Sequence, residues 1–166
     1  MFDEHHRVIS GNATDQALMK FLGEDSYLKM KEDPSLEVFA SQKFNSSNKF
    51  SQAQIGGLTY YKGAPERLLQ KADRYMGTDG QLHPLDLSCI NQRIDTLAKK
   101  AMRVIAFGYS EEPLQENCIS GNLVLIGMAA IRDDVRPEAR IAIHDVQKAG
   151  IQVVMITGDR LETASA

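Results

Sequence analysis

One stretch decides the predicted fold: Tyr60-Tyr61-Lys62-Gly63-Ala64-Pro65-Glu66. Residues 55–61, which run into the start of this stretch, are typical of a short strand that ends in two aromatic side chains. Pro65 suits the first position of a helix, because that position needs no amide hydrogen bond, and apolar residues follow at helical spacing. Lys62 and Gly63 are therefore predicted to lie at a corner between a strand and a helix.

A corner of this kind can bind an anion. A glycine lets another group approach the backbone closely, and the start of a helix offers unpaired amide donors and positive potential. Lys62 adds a point charge that suits a phosphate group. The plainer alternative is a strand, a turn and a helix with one exposed lysine. The local pattern alone favours this alternative, because short motifs often match by chance.

Composition argues against several classes of protein. The chain has 166 residues, of which 43% are hydrophobic, so it can form one domain, or one domain and part of another. A net charge of -3 and an isoelectric point near 5.8 argue against nonspecific nucleic-acid binding. Cys89 and Cys118 match no metal-ligand spacing, so neither a disulfide framework nor a metal site is expected. The longest apolar run, 123–131, is far shorter than the about 20 residues of a membrane-spanning helix, and we expect no signal peptide.

Helices and loops are predicted from caps and spacing. Asn12 or Thr14 can cap a helix that ends at Gly23. Asp86 precedes a second amphipathic stretch with apolar residues at helical spacing. Loops are predicted where charged residues, glycine or proline dominate, at 27–34, 75–82 and 111–122.

Strands are predicted at 36–45, 103–109 and 122–131, and the last is apolar enough to lie near the centre of a sheet. Between the aromatic residues Phe44 and Phe50, polar turn formers indicate a hairpin. Phe44 could stack on a base beside the phosphate-seeking Lys49. An aromatic side chain is, however, more often part of a core than a ligand platform.

The chain changes character after the strand at 122–131. A polar segment leads into a helix pattern that stops at Gly150, and an apolar run at 151–156 is predicted as a buried strand. This order of strand, helix and strand indicates a parallel, right-handed unit. Ligands of such sheets bind beyond the carboxyl ends of the strands, where Thr157 and Asp159 would lie.

Six motifs of this chain resemble, in the same order, the motifs of P-type cation-transporting ATPases, and they cover nearly the whole sequence. They are Gly11-Asn12-Ala13-Thr14-Asp15, Phe44-Asn45-Ser46-Ser47-Asn48-Lys49, Lys62-Gly63-Ala64-Pro65-Glu66, the strand opened by Arg103, the hinge Asp133-Asp134-Val135-Arg136, and Met155-Ile156-Thr157-Gly158-Asp159.

The resemblance implies a fold and two sets of site residues. Residues 1–131 would form the nucleotide-binding domain, an α+β fold with an antiparallel sheet flanked by helices, and residues 132–166 an incomplete α/β segment of the phosphorylation domain, of haloacid-dehalogenase type. ATP would be the ligand, with adenine stacked on Phe44 and facing Asp15. The implied nucleotide residues are Asp15, Phe44, Lys49, Lys62, Gly63 and Arg103. The implied hinge and phosphate-binding residues are Asp133, Arg136, Thr157, Gly158 and Asp159.

Two family motifs do not occur in the sequence: Asp-Lys-Thr-Gly-Thr, whose Asp is phosphorylated, and Gly-Asp-Gly-x-Asn-Asp, which holds magnesium. We therefore expect a cytoplasmic fragment of an integral membrane pump, which binds ATP but is inactive alone. The remaining pump domains and transmembrane helices would be its partners in cis, and Mg²⁺ would act in the intact pump. The segment after residue 131 resembles the calcium-pump branch.

Two other functions stay open. A soluble phosphohydrolase of the haloacid-dehalogenase type shares the strand that ends in Thr-Gly-Asp, but it needs an Asp nucleophile at the end of a first strand, which the sequence does not offer. A regulatory module without a ligand is the other alternative.

The apolar strand predicted at 151–156 would lack its neighbour strand, which invites pairing with another chain. We therefore expect a homodimer through this C-terminal segment, in preference to a poorly ordered tail.

Overall fold

The described residues, 3, 8–9, 11–132 and 137–156 of a computed structural model, contain five α-helices and one sheet of seven strands. The helices are α1 (Ala13–Leu22), α2 (Glu24–Glu32), α3 (Pro65–Leu68), α4 (Leu87–Ala98) and α5 (Pro137–Lys148), with a 3-10 turn at Pro34–Leu36. The strands are β1 (Val38–Asn45), β2 (Phe50–Ile55), β3 (Leu58–Gly63), β4 (Ala72–Met76), β5 (Leu82–Pro84), β6 (Met102–Ser110) and β7 (Leu123–Arg132).

The sheet has the strand order β1-β2-β3-β6-β7-β4-β5. All neighbours are antiparallel except β4 and β7, which pair in parallel. The fold is therefore a mixed sheet flanked by helices, whereas the family resemblance implied an antiparallel sheet flanked by helices. As predicted, the apolar strand β7 is internal, between β6 and β4.

The buried core lies on one face of the sheet. Exposed and buried residues alternate along β3 and β6, so that every second side chain points into the core. Helices α3 and α4 contribute Leu68 and Ile94 to this core, where they are 0% and 4% exposed. Tyr61 of β3 is also buried, and its hydroxyl accepts a hydrogen bond from the amide of Ser120 at 3.0 Å. The loop between β6 and β7 is thereby tied to the sheet.

The caps of two predicted helices are confirmed. The Asn12 side chain accepts a hydrogen bond from the amide of Asp15 at 2.9 Å, and α1 is followed by Gly23 at a φ of 79°. The Asp86 carboxylate accepts from the amides of Ser88 and Cys89 at the start of α4. These side chains satisfy amides that no helical carbonyl can reach.

The loop predicted at 27–34 is wrong, because most of it belongs to α2. This helix has no buried residue, so it lacks the apolar stripe by which a helix is usually recognised. Its charges instead complement the helix dipole, with Glu24 and Asp25 in the first turn and Lys29 and Lys31 in the last.

Two other boundaries differ from the prediction. The strand predicted at 55–61 is interrupted by a hairpin turn at Gly56 and Gly57, whose φ angles of 57° and 85° favour glycine. The loop predicted at 75–82 is shorter, because β4 extends to Met76 and β5 begins at Leu82. Both short strands lie at one edge of the sheet.

The buried strand predicted at 151–156 is wrong. Helix α5 forms as expected, and Gly150 follows it at a φ of 78°. Residues 151–156 are all exposed and form no strand, so the predicted strand-helix-strand unit is not made by the described residues. A strand needs a neighbour for its backbone hydrogen bonds, and none of the described strands pairs with this segment. The predicted hinge and phosphate residues Asp133, Arg136, Thr157, Gly158 and Asp159 lie outside the described residues.

Candidate functional site

A cleft of about 1410 Å³ lies where the start of α1, the β1–β2 hairpin, the end of β3, helix α4 and the start of β6 meet. All six residues predicted to contact a nucleotide line this one cleft, although they are spread over the first two thirds of the chain. They are Asp15, Phe44, Lys49, Lys62, Gly63 and Arg103.

Phe44 is exposed on the cleft wall. Its side chain is 59% exposed, which excludes the alternative of a core residue. The pairing of β1 with β2 shifts register between Gln42 and Asn45, so this part of β1 contains a bulge. Consecutive residues of a regular strand point to opposite faces, yet Lys43 and Phe44 both line the cleft. The bulge accounts for this arrangement, because it turns two neighbouring side chains toward one side.

Lys62 forms an ion pair across the cleft. Its Nζ lies 2.5 Å from Oδ1 of Asp15, and both side chains are 36% exposed. Lys62 comes from the end of β3 and Asp15 from the first turn of α1, so the pair joins the helix to the sheet. Nearby, Nη1 of Arg103 lies 3.5 Å from the hydroxyl oxygen of Thr14, also in α1.

Lys49 is the last residue of the hairpin turn, and its backbone φ is 61°. Its Nζ lies 3.3 Å from a carboxylate oxygen of Glu66, at the start of α3. Both side chains are about half exposed, so this pair is weak and a ligand can compete for the lysine.

Gly63 lies tightly against the β1–β2 turn and the start of β2, so a larger residue does not fit there. A Cβ at this position would lie 2.6 Å from the carbonyl oxygen of Lys49 and 2.6 Å from Cβ of Phe50. The carbonyl of Lys49 also accepts a hydrogen bond from the amide of Ala64 at 2.9 Å. The group that approaches this glycine closely is therefore the neighbouring strand. The prediction from sequence left that group unnamed and placed the corner in an anion site.

The cleft is basic, whereas the chain as a whole has a net charge of -3. Fixed positive charge in a concave site raises the local concentration of anions and speeds their association. The charged residues that line it are Lys43, Lys49, Lys62, Arg103, Asp15 and Glu66.

A family model described as P-type ATPase, cytoplasmic domain N, matches residues 2–138. The chain belongs to this family. The match runs through all six cleft residues and ends within α5.

Relatives named as cation pumps resemble the chain over most of its length. It is 36% identical over 116 residues to "Cation-transporting ATPase pma1" of Synechocystis sp., covering 67% of this chain and 13% of that protein. It is 32% identical over 175 residues to "Calcium-transporting ATPase 7, plasma membrane-type" of Oryza sativa subsp. japonica, covering 95% and 17%. It is 39% identical over 110 residues to "Probable cation-transporting ATPase F" of Mycobacterium bovis, covering 63% and 12%. The chain thus spans 12% to 17% of the length of these relatives.

Several residues that line the cleft of this P-type domain were missed from the sequence. Asn91, Ile94 and Ala98 lie on one face of α4, at positions i, i+3 and i+7. The sequence predicts an amphipathic helix here, but that pattern does not show that one of its faces lines a cleft. Lys43 was missed because regular alternation along β1 would have pointed it away from Phe44.

Two carboxyl groups among the described residues have a lowered pKa, and neither lines the cleft. Hydrogen bonds from the hydroxyl and the amide of Ser35 lower the pKa of Asp33. A hydrogen bond from the amide of Gln81 and one from His83 lower the pKa of Asp79. Both groups stabilise turns, because their carboxylate form accepts these bonds.

No group of three or more His, Cys, Asp or Glu residues in the described part of the chain is arranged to hold a metal ion. None of its helices has both the length and the apolar character that crossing a bilayer requires.

Proposed function

We propose that this chain binds ATP as the nucleotide-binding part of a P-type cation pump, and that the pump transfers the γ-phosphate to an Asp that this sequence does not contain. The observation that carries the proposal is that one basic cleft is lined by Asp15, Phe44, Lys49, Lys62, Gly63 and Arg103 together. The six residues come from four motifs that are far apart in sequence, and their meeting in one cleft lets a single ligand contact all of them.

The geometry supports a division of roles within the cleft. Phe44 offers an exposed ring on which adenine can stack. Asp15 lies beside Lys62, so a base that contacts one of them also meets the other. Lys49 and Arg103 supply positive charge for the phosphates, and phosphoryl transfer depends on such positioning and charge neutralisation.

The wider assignment follows from the family. We propose a nucleotide-binding domain at 1–131 and a partial phosphorylation-domain segment at 132–166, in a cytoplasmic part of a membrane pump. Its partners would be the remaining pump domains and the transmembrane helices in cis, with Mg²⁺ acting in the intact pump. Calcium is the proposed ion, because the rice relative aligned over 95% of the chain is named a calcium-transporting ATPase.

A calorimetric titration of the full chain with ATP tests the proposal. We expect saturable binding with little dependence on Mg²⁺, because the magnesium motif of the family does not occur in the sequence. Chemical-shift mapping with ATP should move the amides of residues 12–15, 44, 46, 49, 62–64, 66 and 103–105, which line the cleft. The absence of saturable binding would favour an interaction module without a ligand.

Replacing Lys62 by glutamine should weaken ATP binding on the order of fivefold, because a charge-assisted contact to the ligand is lost. The change also leaves the Asp15 carboxylate without its 2.5 Å partner, so a negative charge then faces an anionic ligand. The loss should shrink as salt is added, since salt screens both effects. Calorimetric titrations at two salt concentrations measure it.

Lys29→Gln is the matched control. Lys29 is exposed on α2 and does not line the cleft, so removing its charge changes the net charge equally without touching the site. If both variants bound ATP equally well, the role assigned to Lys62 would be wrong.

We expect no phosphoenzyme from the purified chain. The sequence has no Asp-Lys-Thr-Gly-Thr string, and a site without its nucleophile retains only residual catalysis. Incubation with γ-labelled ATP followed by acid precipitation is the measurement. Acid-stable label on an Asp, including Asp159, would favour the soluble phosphohydrolase.

We also propose that the C-terminal segment supports a homodimer. The support is exposure: Val154, Met155 and Ile156 are 68%, 69% and 95% exposed, and apolar side chains gain free energy when they leave water. Light scattering should give twice the monomer mass for the full chain and the monomer mass for a version ending at Ile131. Two monomers would contradict the dimer.

A further inference from the structure

The segment 44–49, the end of β1 and the turn after it, presents Phe44 and Lys49 and is largely exposed. Residues 46 and 47 are exposed, and the side chains of Phe44 and Lys49 are 59% and 54% exposed. Within the turn, Asn45 accepts two hydrogen bonds, from the amide of Lys49 at 2.7 Å and from the amide of Ser47 at 2.8 Å. These bonds set the shape of the turn, but they do not fix its position against the rest of the protein.

Asn117 supplies a contact that fixes the position of this turn against the rest of the protein. Its Oδ1 accepts hydrogen bonds from Nε2 of Gln42 at 2.6 Å and from Nδ2 of Asn48 at 2.7 Å. The backbone amide of Asn117 donates a hydrogen bond to Oε1 of Gln42 at 2.9 Å. Gln42 precedes the β1 bulge and Asn48 lies in the turn, so one side-chain oxygen joins the two ends of the segment that carries Phe44.

The loop that carries Asn117 is itself fixed to the core. Two residues further along, Ile119 is 8% exposed, and the amide of the buried Ser120 donates to the hydroxyl of Tyr61. Two residues before it, the carbonyl of Gln115 accepts a hydrogen bond from Nε2 of Gln52, which is 3% exposed. The position of Asn117 therefore follows from the core.

The backbone at Asn117 suits this role. Its φ is 60°, in the left-handed region that Asn and Gly adopt more readily than other residues. Asn is thus a residue that can take this conformation and also offer a side-chain acceptor.

We propose that Asn117 is a positioning residue for the nucleotide cleft, which it does not line, and that it acts by holding the turn that carries Phe44 and Lys49. This inference rests on the proposed function, because it concerns how the same ATP site is kept in shape. Three other contacts act on the same turn. Nε of Arg67 donates to the carbonyl of Asn48 at 3.1 Å, the amide of Ala64 donates to the carbonyl of Lys49 at 2.9 Å, and Nζ of Lys49 lies 3.3 Å from Glu66. Asn117 is the contact that also reaches β1, and hence Phe44.

Two substitutions separate the side-chain contact from the backbone. Asn117→Gly keeps the left-handed conformation without strain and removes the acceptor. Asn117→Asp keeps an acceptor oxygen and tolerates the same φ. We expect Asn117→Gly to weaken ATP binding on the order of three- to tenfold, since two hydrogen bonds are lost, and Asn117→Asp to bind close to wild type.

A double-mutant cycle with Phe44→Ala tests whether Asn117 acts through Phe44. If it does, Asn117→Gly should have a smaller effect in the Phe44→Ala background than in wild type. A general loss of structure would instead give fully additive effects. Full additivity, or wild-type affinity in Asn117→Gly, would overturn the inference.

Hydrogen exchange of the unliganded protein gives an independent reading. The Lys49 amide, bonded to Asn45, should exchange several-fold faster in Asn117→Gly than in wild type or Asn117→Asp. Unchanged exchange, with ATP binding by wild type intact, would overturn this inference alone. Failure of the wild type to bind ATP would overturn the proposed function, and the positioning role with it.

Discussion

Replacing Phe44 by alanine is expected to weaken ATP binding about tenfold or more, because stacking of a base on an aromatic side chain contributes about 1–3 kcal/mol in nucleic-acid binders. The ring is 59% exposed, so its removal leaves no cavity in the core and the fold should be unchanged. Calorimetric titration with ATP and with adenosine measures the loss. It should be similar for both ligands, since the ring contacts the base and not the phosphates.

Phe39→Ala is the control for this experiment. Phe39 lies in the same strand and is 74% exposed, but it does not line the cleft. Its removal should leave affinity unchanged. Equal affinities of Phe44→Ala and wild type would refute the stacking role. A loss seen with ATP but absent with adenosine would mean that Phe44 acts on the phosphates.

Replacing Gly63 by alanine should lower the free energy of unfolding by about 3 kcal/mol, at the upper end of what overpacking costs. The added Cβ would lie 2.6 Å from the Lys49 carbonyl oxygen and 2.8 Å from Cα of Phe50. These are backbone atoms of the β1–β2 turn and of the paired strand β2, which cannot rotate away as a flexible side chain can. Unfolding in urea with circular dichroism measures the change.

Gly127→Ala provides the comparison within the same sheet. Gly127 lies in β7, and a Cβ there meets nothing within 4 Å. This change should be neutral or slightly stabilising, because alanine restricts the unfolded chain. If Gly63→Ala were as stable as Gly127→Ala, the close approach of β2 to Gly63 would not constrain the sequence.

Local signals predicted much of the fold. Asn12 and Asp86 cap helices as expected, and Gly23 stops the first of them. Helix α2 was missed because it buries no residue and so shows no apolar face, although the charges at its ends complement the helix dipole. The segment 151–156 was wrongly predicted as a strand, because an apolar run shows only that burial would be favourable. A strand also requires a partner, which a local pattern does not reveal.

Six residues that line the cleft could be named from the sequence, but the shape of the cleft could not. The family motifs named Asp15, Phe44 and Lys62, and the fold brings them to one cleft. Lys43 faces the cleft because of the β1 bulge. A bulge redirects a side chain but leaves no signature in the residue types, so the sequence does not predict this orientation. Asn117 depends on a contact between residues 69 positions apart, and no pattern within either segment indicates it.

Helix α1 has no buried residue, and two of its polar contacts reach the cleft cations: Asp15 to Lys62 and Thr14 to Arg103. ATP would engage the same two cations. The docking of α1 and the binding of ATP are then thermodynamically linked, and linkage is reciprocal. Any substitution that shifts the docking equilibrium of α1 will change ATP affinity, even at a position remote from the nucleotide. If ATP binds as proposed, the first helix either competes with the nucleotide or assists its binding, according to the sign of this linkage.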